Sequence, residues 1–221
     1  SRAMANSIPA IVIVQLAAAV GDGICQSQAV AAAGALTLDG SLVAGGVATM
    51  DTARRVLLAS SDNDASVTFT ITGTNRDNNP ITDTVTGLNG ATTQFTTLDF
   101  LTVTKVTASA ACVGDITVGT NGVGSSRWIV PNYFVSSWAF SIAVSIVSGT
   151  GAVTYTVEHT YDDINAIAPS LALSPEGFSV ENGCYVPPLA WPNPNLTGAV
   201  ANGEAQYSGQ PIMAVRVTVT A

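Results

Sequence analysis

Apolar and hydroxylated residues alternate most regularly between residues 66 and 87. The run VTFTIT at Val67–Thr72 has an apolar residue at every second position, which is the pattern of a half-buried β-strand. The segment Asn75–Pro80 follows, and its Asn and Asp residues favour a turn because they tolerate left-handed backbone and bond their own main chain. The run ITDTVT at Ile81–Thr86 then alternates again. The pattern predicts a β-hairpin.

The same alternation returns in the second half of the chain. Phe140–Ile146 and Val153–Val157 alternate apolar and polar residues on either side of the turn sequence SGTG, and this arrangement predicts a second hairpin. Its register places His159 and Tyr161 on one face of the strand. The alternating run Met213–Val219 predicts a closing strand.

One strand shows a slip in its alternation. In LDFLTVTKVTASA the apolar positions change parity at Lys105-Val106, which predicts a β-bulge or a change of sheet. Short strands separated by Gly, Asn and Asp turns are typical of sandwiches and barrels. We therefore predict an all-β fold, an antiparallel β-sandwich of jelly-roll or Ig-like type. It would comprise two packed sandwich halves and an extended N-terminal arm.

Changes in composition divide the chain into an arm and two halves. The segment NGVGSS at Asn121–Ser126 is the best boundary, so we predict an arm at 1–33, a β-sandwich at 34–121 and a second half at 122–221. Within the second half, the segment 162–209 is rich in Pro, Asn and Gly and has no sustained periodicity. It predicts a long Pro-rich loop, and such loops are often functional or act as interaction arms.

The start of the chain is apolar without resembling a membrane span. The stretch Ile8–Val20 is too short to cross a bilayer and is interrupted by Pro9 and Gln15. It predicts either a β-strand over Ile11–Leu16 or, with a looser match, the apolar part of a secretory signal. An apolar strand at this position is suited to add to the edge of a neighbouring sheet.

The chain carries few charges and an acidic balance. Hydrophobic residues make up 47% of it and charged residues 10%, against about 25% in ordinary soluble domains. Seven basic residues stand against fifteen acidic ones, which gives a net charge of -8. Binding to nucleic acid or to an anionic membrane surface requires clustered cations, so we expect neither partner. The weak charge also favours a surface that other subunits partly cover.

The titratable residues do not form a recognisable catalytic pattern. His159 is the only histidine, so a triad would depend on it, but no GxSxG elbow accompanies it. The pair Asp162-Asp163 could in principle serve glycoside hydrolysis, yet most of the acids lie in predicted turns, where they cap their own backbone. We predict that the protein is not an enzyme and that His159 is a partly buried strand residue.

Metal binding has weak support in the sequence. The three cysteines are far apart and no CxxC is present, so a structural zinc site is not expected. Reduced cysteines are favoured, with one disulfide and one leftover thiol as the alternative. The runs Asp62–Asp64 and Asp77–Asn79 could supply oxygen ligands to Ca²⁺, but neither matches the twelve-residue calcium loop. We predict turn chemistry there and no cofactor, with Ca²⁺ as the alternative.

Partner contacts are expected in the irregular parts of the chain. Large aromatic residues often supply most of the binding energy of protein interfaces. Trp191 lies between prolines in the predicted loop and is the best candidate for an exposed anchor. The candidate partner-binding residues are Ile11, Ile13 and Leu16 in the arm, and Tyr185, Trp191 and Tyr207 in the loop.

Seven segments occur in a distinctive order and spacing from about residue 28 to the C terminus. They are QAVAAAGALTLDG, GGVATMDTARRVLLAS, VTFTITGTNRDNNPITDTVTG, LDFLTVTKVTASA, ITVGTNGVGSSRW, VTYTVEHTYDDI and PIMAVRVTVTA. No single one of them is specific, but taken together they resemble a group of tailed-bacteriophage virion proteins. The resemblance implies a structural role and no catalytic residues.

Among the roles in that group, the resemblance favours a capsid decoration (cement) protein. Such a protein would be made in the host cytoplasm and bind the exterior of the virion capsid, with the major capsid protein and copies of itself as partners. One alternative is a tail or fibre module that binds a host-surface glycan through Trp191 and the Asp/Asn loops. Another is a bacterial surface adhesion domain, which would apply if the start of the chain is a cleaved signal.

Overall fold

The regular structure of the protein consists of β-strands alone. The computed structural model describes residues 16–131, 139–147, 153–165, 188–209 and 211–220, and the backbone of 167–174 and 177–185. No helix occurs among these residues. The predicted all-β, antiparallel β-sandwich class is confirmed.

Seventeen strands occur in the described residues, and they range from short two-residue pairs to strands of 14 and 15 residues. Their bounds are β1 (Cys25–Gln28), β2 (Gly34–Ala35), β3 (Val43–Ala44), β4 (Val47–Ser60), β5 (Asn63–Asp64), β6 (Phe69–Thr74), β7 (Pro80–Val85), β8 (Leu88–Asn89), β9 (Gln94–Ala108), β10 (Ile116–Ser125), β11 (Ala139–Val144), β12 (Thr154–Thr160), β13 (Ile167–Ser174), β14 (Gly177–Tyr185), β15 (Trp191–Pro192), β16 (Gly203–Ser208) and β17 (Ala214–Thr220).

Eleven of these strands form one antiparallel sheet. Its main path runs β15-β12-β17-β10-β4-β9-β6-β7, while β1, β2 and β3 pair with β10, β9 and β4 respectively. Three further antiparallel pairs, β11–β16, β13–β14 and β5–β8, lie outside this sheet. Because β10 pairs with both β4 and β17, the large sheet runs continuously from the first half of the chain into the second.

The first predicted hairpin is confirmed. Strands β6 and β7 pair residue for residue from Phe69–Val85 to Thr74–Pro80. In the turn between them, the Asn75 side chain accepts hydrogen bonds from the backbone amides of Asp77 and Asn79. Asn78 takes the left-handed conformation, with φ of 63°.

The predicted bulge is also confirmed. Between β6 and β9, Thr72 pairs with Lys105 and Gly73 pairs with Val103, so Thr104 is the extra residue. The bulge allows Val103 and Val106 both to face the core, where each is fully buried.

The second predicted hairpin is wrong. Strand β11, which contains Phe140, pairs with β16 and not with β12. Strand β12 instead lies between β17 and β15 in the large sheet. The alternation of apolar and polar residues indicates that a segment is a strand and which of its residues share a face. It does not indicate the partner strand. Here the partner of β11 is β16, which lies further along the chain than β12.

The prediction of one continuous loop over 162–209 is also wrong. This segment contains β13, β14, β15 and β16. Strand β14 passes through Asn182 and Gly183, where its register with β13 shifts between the pairs Ala168–Cys184 and Ser170–Glu181. Residues that strands usually disfavour are thus accommodated at an irregularity of the ladder.

Two apolar clusters hold the strands together. The first lies within the first half of the chain, and it joins buried residues of β1, β4, β6, β7, β9 and β10 around Phe69, Phe100 and Leu58. The second lies between the pair β11–β16 and the strands β12 and β17, with Tyr155 and Val157 at its centre. Strand β10 runs across residue 121, so the two predicted halves share a strand.

Candidate functional site

Strand β12 positions the central residue of the candidate site, His159. The residue lies opposite Trp191 of β15 on one side and opposite Val215 of β17 on the other. Directly opposite residues of an antiparallel pair project from the same face of the sheet. His159 and Trp191 therefore share a face, and it is the face that carries the second apolar cluster.

Tyr207 reaches His159 from the opposite layer of the sandwich. Its ring stacks on Phe140, its neighbour across β11–β16, with centroids 5.1 Å apart and 11° between the planes. The Tyr207 and His159 rings meet edge to face at a centroid distance of 5.5 Å. Tyr161 approaches His159 in the same manner, also at 5.5 Å. Two tyrosine rings thus meet one imidazole.

These rings line an open groove of about 460 Å³, which we call the aromatic groove. Its walls carry aromatic, amide and hydroxyl groups, and none of the described lining residues is Asp, Glu, Lys or Arg. The residues that define it are His159, Tyr161, Asn193, Asn195, Gln206 and Tyr207.

Asn193 forms the floor of the groove and is buried. Its backbone amide donates to the carbonyl of Val157 over 2.7 Å, and its side-chain oxygen accepts from the amide of Asn195 over 2.9 Å. A side-chain hydrogen bond also joins Asn193 to Tyr207. Because its backbone and side chain are both held, Asn193 fixes the position of the Tyr207 hydroxyl.

The pKa values of His159 and Tyr207 are shifted in the directions that keep both side chains neutral at pH 7. Burial lowers the pKa of His159 below its ordinary value. Burial raises the pKa of Tyr207, and the hydrogen bond from Asn193 opposes that rise. The Tyr207 oxygen lies 3.4 Å from Nδ1 of His159, so a neutral pair sits at the centre of the groove.

Two large aromatic side chains stand at the rim of the groove. Tyr161 is 53% exposed and Trp191 is 50% exposed. The rim is therefore an accessible apolar surface beside a polar-lined groove.

The structure thus brings two of the predicted partner-binding residues together. Trp191 and Tyr207 both adjoin His159, which the sequence predicted only as a partly buried strand residue. Tyr161 and Asn193 were not predicted as site residues. The alternation of the strand, which placed Tyr161 on the same face as His159, could have indicated Tyr161. No sequence pattern indicated Asn193.

The predicted residues of the arm lie elsewhere. Ile11 and Ile13 are outside the described residues. Leu16 is half-buried and lies over Gly124 of β10, where an added Cβ would come within 2.6 Å of the leucine Cδ1. Further along, Ile24 and Cys25 are fully buried in the first apolar cluster, so this part of the predicted arm belongs to the packed body.

Charged groups clamp the backbone of Ala17. Its amide donates to the Asp51 carboxylate over 2.7 Å, and its carbonyl accepts from the Arg54 guanidinium. Arg54 is buried, and its Nη1 lies 3.6 Å from the Asp51 carboxylate. The clamp fixes the entry of the chain onto the face of β4 and β10.

Tyr185 lies at the end of β14, opposite Ile167 of β13. Strands β13 and β14 pair with each other and with no other strand in the part of the chain that the structure describes. Tyr185 is thus not paired into the sheet that carries Trp191.

A second cleft, of about 380 Å³, contains a network of charges. Arg216 of β17 lies 2.7 Å from its cross-strand neighbour Glu158 and 3.9 Å from Asp99 of β9. The guanidinium also lies over the Trp128 ring, 4.7 Å from its centroid. Asp99 further accepts a 2.6 Å hydrogen bond from Ser125. These charges are engaged with one another, and they link the two halves of the chain.

Asp64, in one of the two runs considered for Ca²⁺, is committed to hydrogen bonds. Its carboxylate accepts from the Ser60 hydroxyl over 2.6 Å, and from the backbone amides of Val113 and Gly114 over 2.6 and 3.1 Å. No group of three or more His, Cys, Asp or Glu side chains suited to a metal occurs among the described residues. The observed geometry at Asp64 is that of a turn cap.

The described thiols are held in their protonated form. Cys25 is buried, and burial together with the negative charge of Asp39 raises its pKa to about 12. Burial, aided by the charge of Asp64, also raises the pKa of Cys112. Both are free cysteines, and neither has the lowered pKa of a nucleophilic thiol.

Comparisons of the chain with protein-family models, with curated proteins and with solved structures find no match. Among the described residues, none forms a helix long and apolar enough to cross a membrane. What the site does must therefore be inferred from its geometry.

Proposed function

We propose that the protein is a non-enzymatic structural component of a bacteriophage virion. It is a decoration (cement) protein that binds the capsid exterior and stabilises contacts between capsomers. Its partners are the major capsid protein and further copies of itself. The sequence resemblance suggested this role, and one structural observation supports it most directly. Strands β13 and β14 form a ribbon that contacts β7 but pairs with no other strand among the described residues.

The ribbon is a two-stranded antiparallel pair that runs from Ile167 to Tyr185. Each of its strands has one edge that pairs with no strand among the described residues. Unpaired strand edges are templates for backbone hydrogen bonds with another protein, and β-strand addition is a common way for proteins to join. An open edge of this kind would let a cement protein join a neighbouring subunit.

The charge distribution also supports a structural role. Arg55, Asp99, Arg216 and Glu158 are paired with one another. Arg54 is paired with Asp51. These pairs join strands of the protein to one another, and charged residues make up only 10% of the chain, which lowers the cost of covering its surface with another subunit.

Removal of the ribbon tests this function. Ile167 and Tyr185 are register partners, so a short Gly-Asn turn can replace residues 168–184 without separating the ends. We expect the shortened protein to keep its fold and to lose binding to virus particles that lack the native protein. Sedimentation of the particles with the added protein measures binding, and cryo-electron microscopy of the particles shows where the protein sits.

The matched control shortens the hairpin of β6 and β7. In this variant an Asn-Gly turn replaces residues 75–79 between the register partners Thr74 and Pro80. That variant should bind the particles like the unmodified protein. Density for the protein only at the tail tip, or full capsid binding without the ribbon, would contradict the proposal.

A further inference from the structure

We propose that the aromatic groove binds a neutral carbohydrate. This inference goes beyond the structural role and does not depend on it, because none of the described residues that line the groove belongs to β13 or β14. It rests on three features of the groove: its aromatic surfaces, its exposed neutral hydrogen-bonding groups and its lack of formal charge.

The aromatic surfaces suit the apolar face of a sugar ring. Aromatic rings carry negative charge on their faces, and the axial C–H groups of a pyranose carry a small positive charge, so the two stack favourably. Trp191 and Tyr161 are half exposed at the rim, and Tyr207 lines the wall. Because Trp191 lies opposite His159 in the sheet register, its side chain is on the groove side of β15.

Exposed polar groups next to these rings suit sugar hydroxyls. Asn195, Gln206 and Ser208 line the groove and are exposed, and their side chains form no hydrogen bond within the described part of the chain. An amide offers a donor and an acceptor side by side, and a hydroxyl can do both. A sugar hydroxyl likewise donates and accepts. The amides and the Ser208 hydroxyl can therefore either donate a hydrogen bond to it or accept one from it.

The lack of charged side chains in the described lining favours an uncharged ligand over a charged one. A phosphate, a carboxylate or a cation is recognised through groups of opposite charge, and none of the described lining residues is Asp, Glu, Lys or Arg. An uncharged ligand rich in hydroxyl groups meets the observed lining better. The open form of the groove also leaves room for a saccharide longer than one unit.

A proline-rich peptide is the main competing ligand, because such peptides also dock on aromatic surfaces. A polyproline segment presents carbonyl acceptors and lacks backbone donors. The amides of Asn195 and Gln206 would then use only their donor groups. A sugar uses both halves of each amide, and we therefore favour it.

The groove is held in its binding shape before a ligand arrives. Stacking on Phe140 fixes the Tyr207 ring, and Asn193 holds its hydroxyl. Asn193 is itself anchored to the backbone of Val157. A site that needs little reordering loses less conformational entropy on binding.

Saturation-transfer NMR and calorimetric titration of the full chain test the inference, with chitotriose, maltotriose and a hexaproline peptide as probes. We expect at least one saccharide to bind with a Kd no weaker than about 1 mM. Trp191→Ala should weaken that binding about ten-fold through the loss of stacking, and Gln206→Ala should weaken it by a smaller factor.

Phe95→Ala provides a matched control, because Phe95 is 49% exposed, like Trp191, and lies on β9 in the first half. It should leave saccharide binding unchanged, and circular dichroism should show that all three variants are folded. No saccharide binding at about 10 mM overturns the inference. So does binding of hexaproline alone, or saccharide binding that survives both groove substitutions.

Discussion

At the scale of single residues, Asp64 is the clearest case of a charge that serves the fold. Its carboxylate satisfies a hydroxyl and two backbone amides in a site where its own exposure is only 2%. Burial by itself raises the pKa of Asp64, yet these hydrogen bonds outweigh burial, and the net pKa is lowered. The ionised form is therefore the one that stabilises the turn.

Asp64→Asn should destabilise the protein at pH 7 by about 3 kcal/mol, because the amide NH₂ cannot accept from the Gly114 amide, which is left unpaired. Since the folded pKa of Asp64 is depressed, its contribution is fully present above the unfolded pKa of about 3.9 and is lost as pH falls through the folded pKa. The stability difference from the unmodified protein should therefore shrink below about pH 4. Urea unfolding at several pH values measures it.

Asp115→Asn is the control for this prediction, because Asp115 is exposed and its carboxylate makes no hydrogen bond within the described residues. Its effect should stay within about 0.5 kcal/mol at every pH. An equal effect of the two substitutions would show that the buried hydrogen bonds of Asp64 are not important.

At the scale of elements, the segment before β1 depends on a glycine in β10. Val20 and Thr120 exchange hydrogen bonds that dock this segment on the sheet. A Cβ added at Gly119 would lie 2.0 Å from the carbonyl oxygen of Val20. The close approach of the two backbones therefore requires glycine at this position.

Gly119→Ala should push the segment off the sheet and destabilise the protein by about 1–3 kcal/mol. Urea unfolding gives the stability, and hydrogen exchange of the Thr120 amide, which donates to Val20, reports the displaced segment. Gly21→Ala is the matched control, because an added Cβ at Gly21 meets nothing within 4 Å. Native protection of the Thr120 amide in Gly119→Ala would contradict the prediction.

At the scale of the whole molecule, the two halves are joined by the continuous sheet and by the ion pairs around Arg216. Asp99 belongs to β9 in the first half, and Arg216 and Glu158 belong to β17 and β12 in the second. Their side chains are mostly shielded from water, so the attraction between them is screened less than that of a surface pair.

A double-mutant cycle with Asp99→Asn and Arg216→Gln should give a coupling energy of about 1–2 kcal/mol. The coupling should fall in concentrated salt, since part of the pair is accessible to solvent. Arg127→Gln is the control, because Arg127 lines the same cleft and is exposed. Strictly additive effects of the two substitutions would mean that the observed 3.9 Å contact does not couple the halves.

Local patterns were sufficient to predict much of the first half of the protein. The hairpin of β6 and β7 and the bulge at Thr104 both follow from the side-chain period of a strand, which is a property of neighbouring residues. The same period placed His159 and Tyr161 together, and their rings are in contact. The exposed position of Trp191 followed from its proline-rich surroundings.

Only the tertiary structure decided which strands pair and which side chains meet. Strand β11 could have paired with β12 by its pattern alone, but β16, about sixty residues further along the chain, offers the surface that completes the second apolar cluster. That pairing brings Tyr207 onto His159, while β15 brings Trp191. The sequence by itself determined the strands and their faces, because these depend on local spacing. The groove depends on contacts between segments that are distant in the sequence. Such contacts form only when the whole chain folds, because the favourable free energy of packing comes from the complete set of strands.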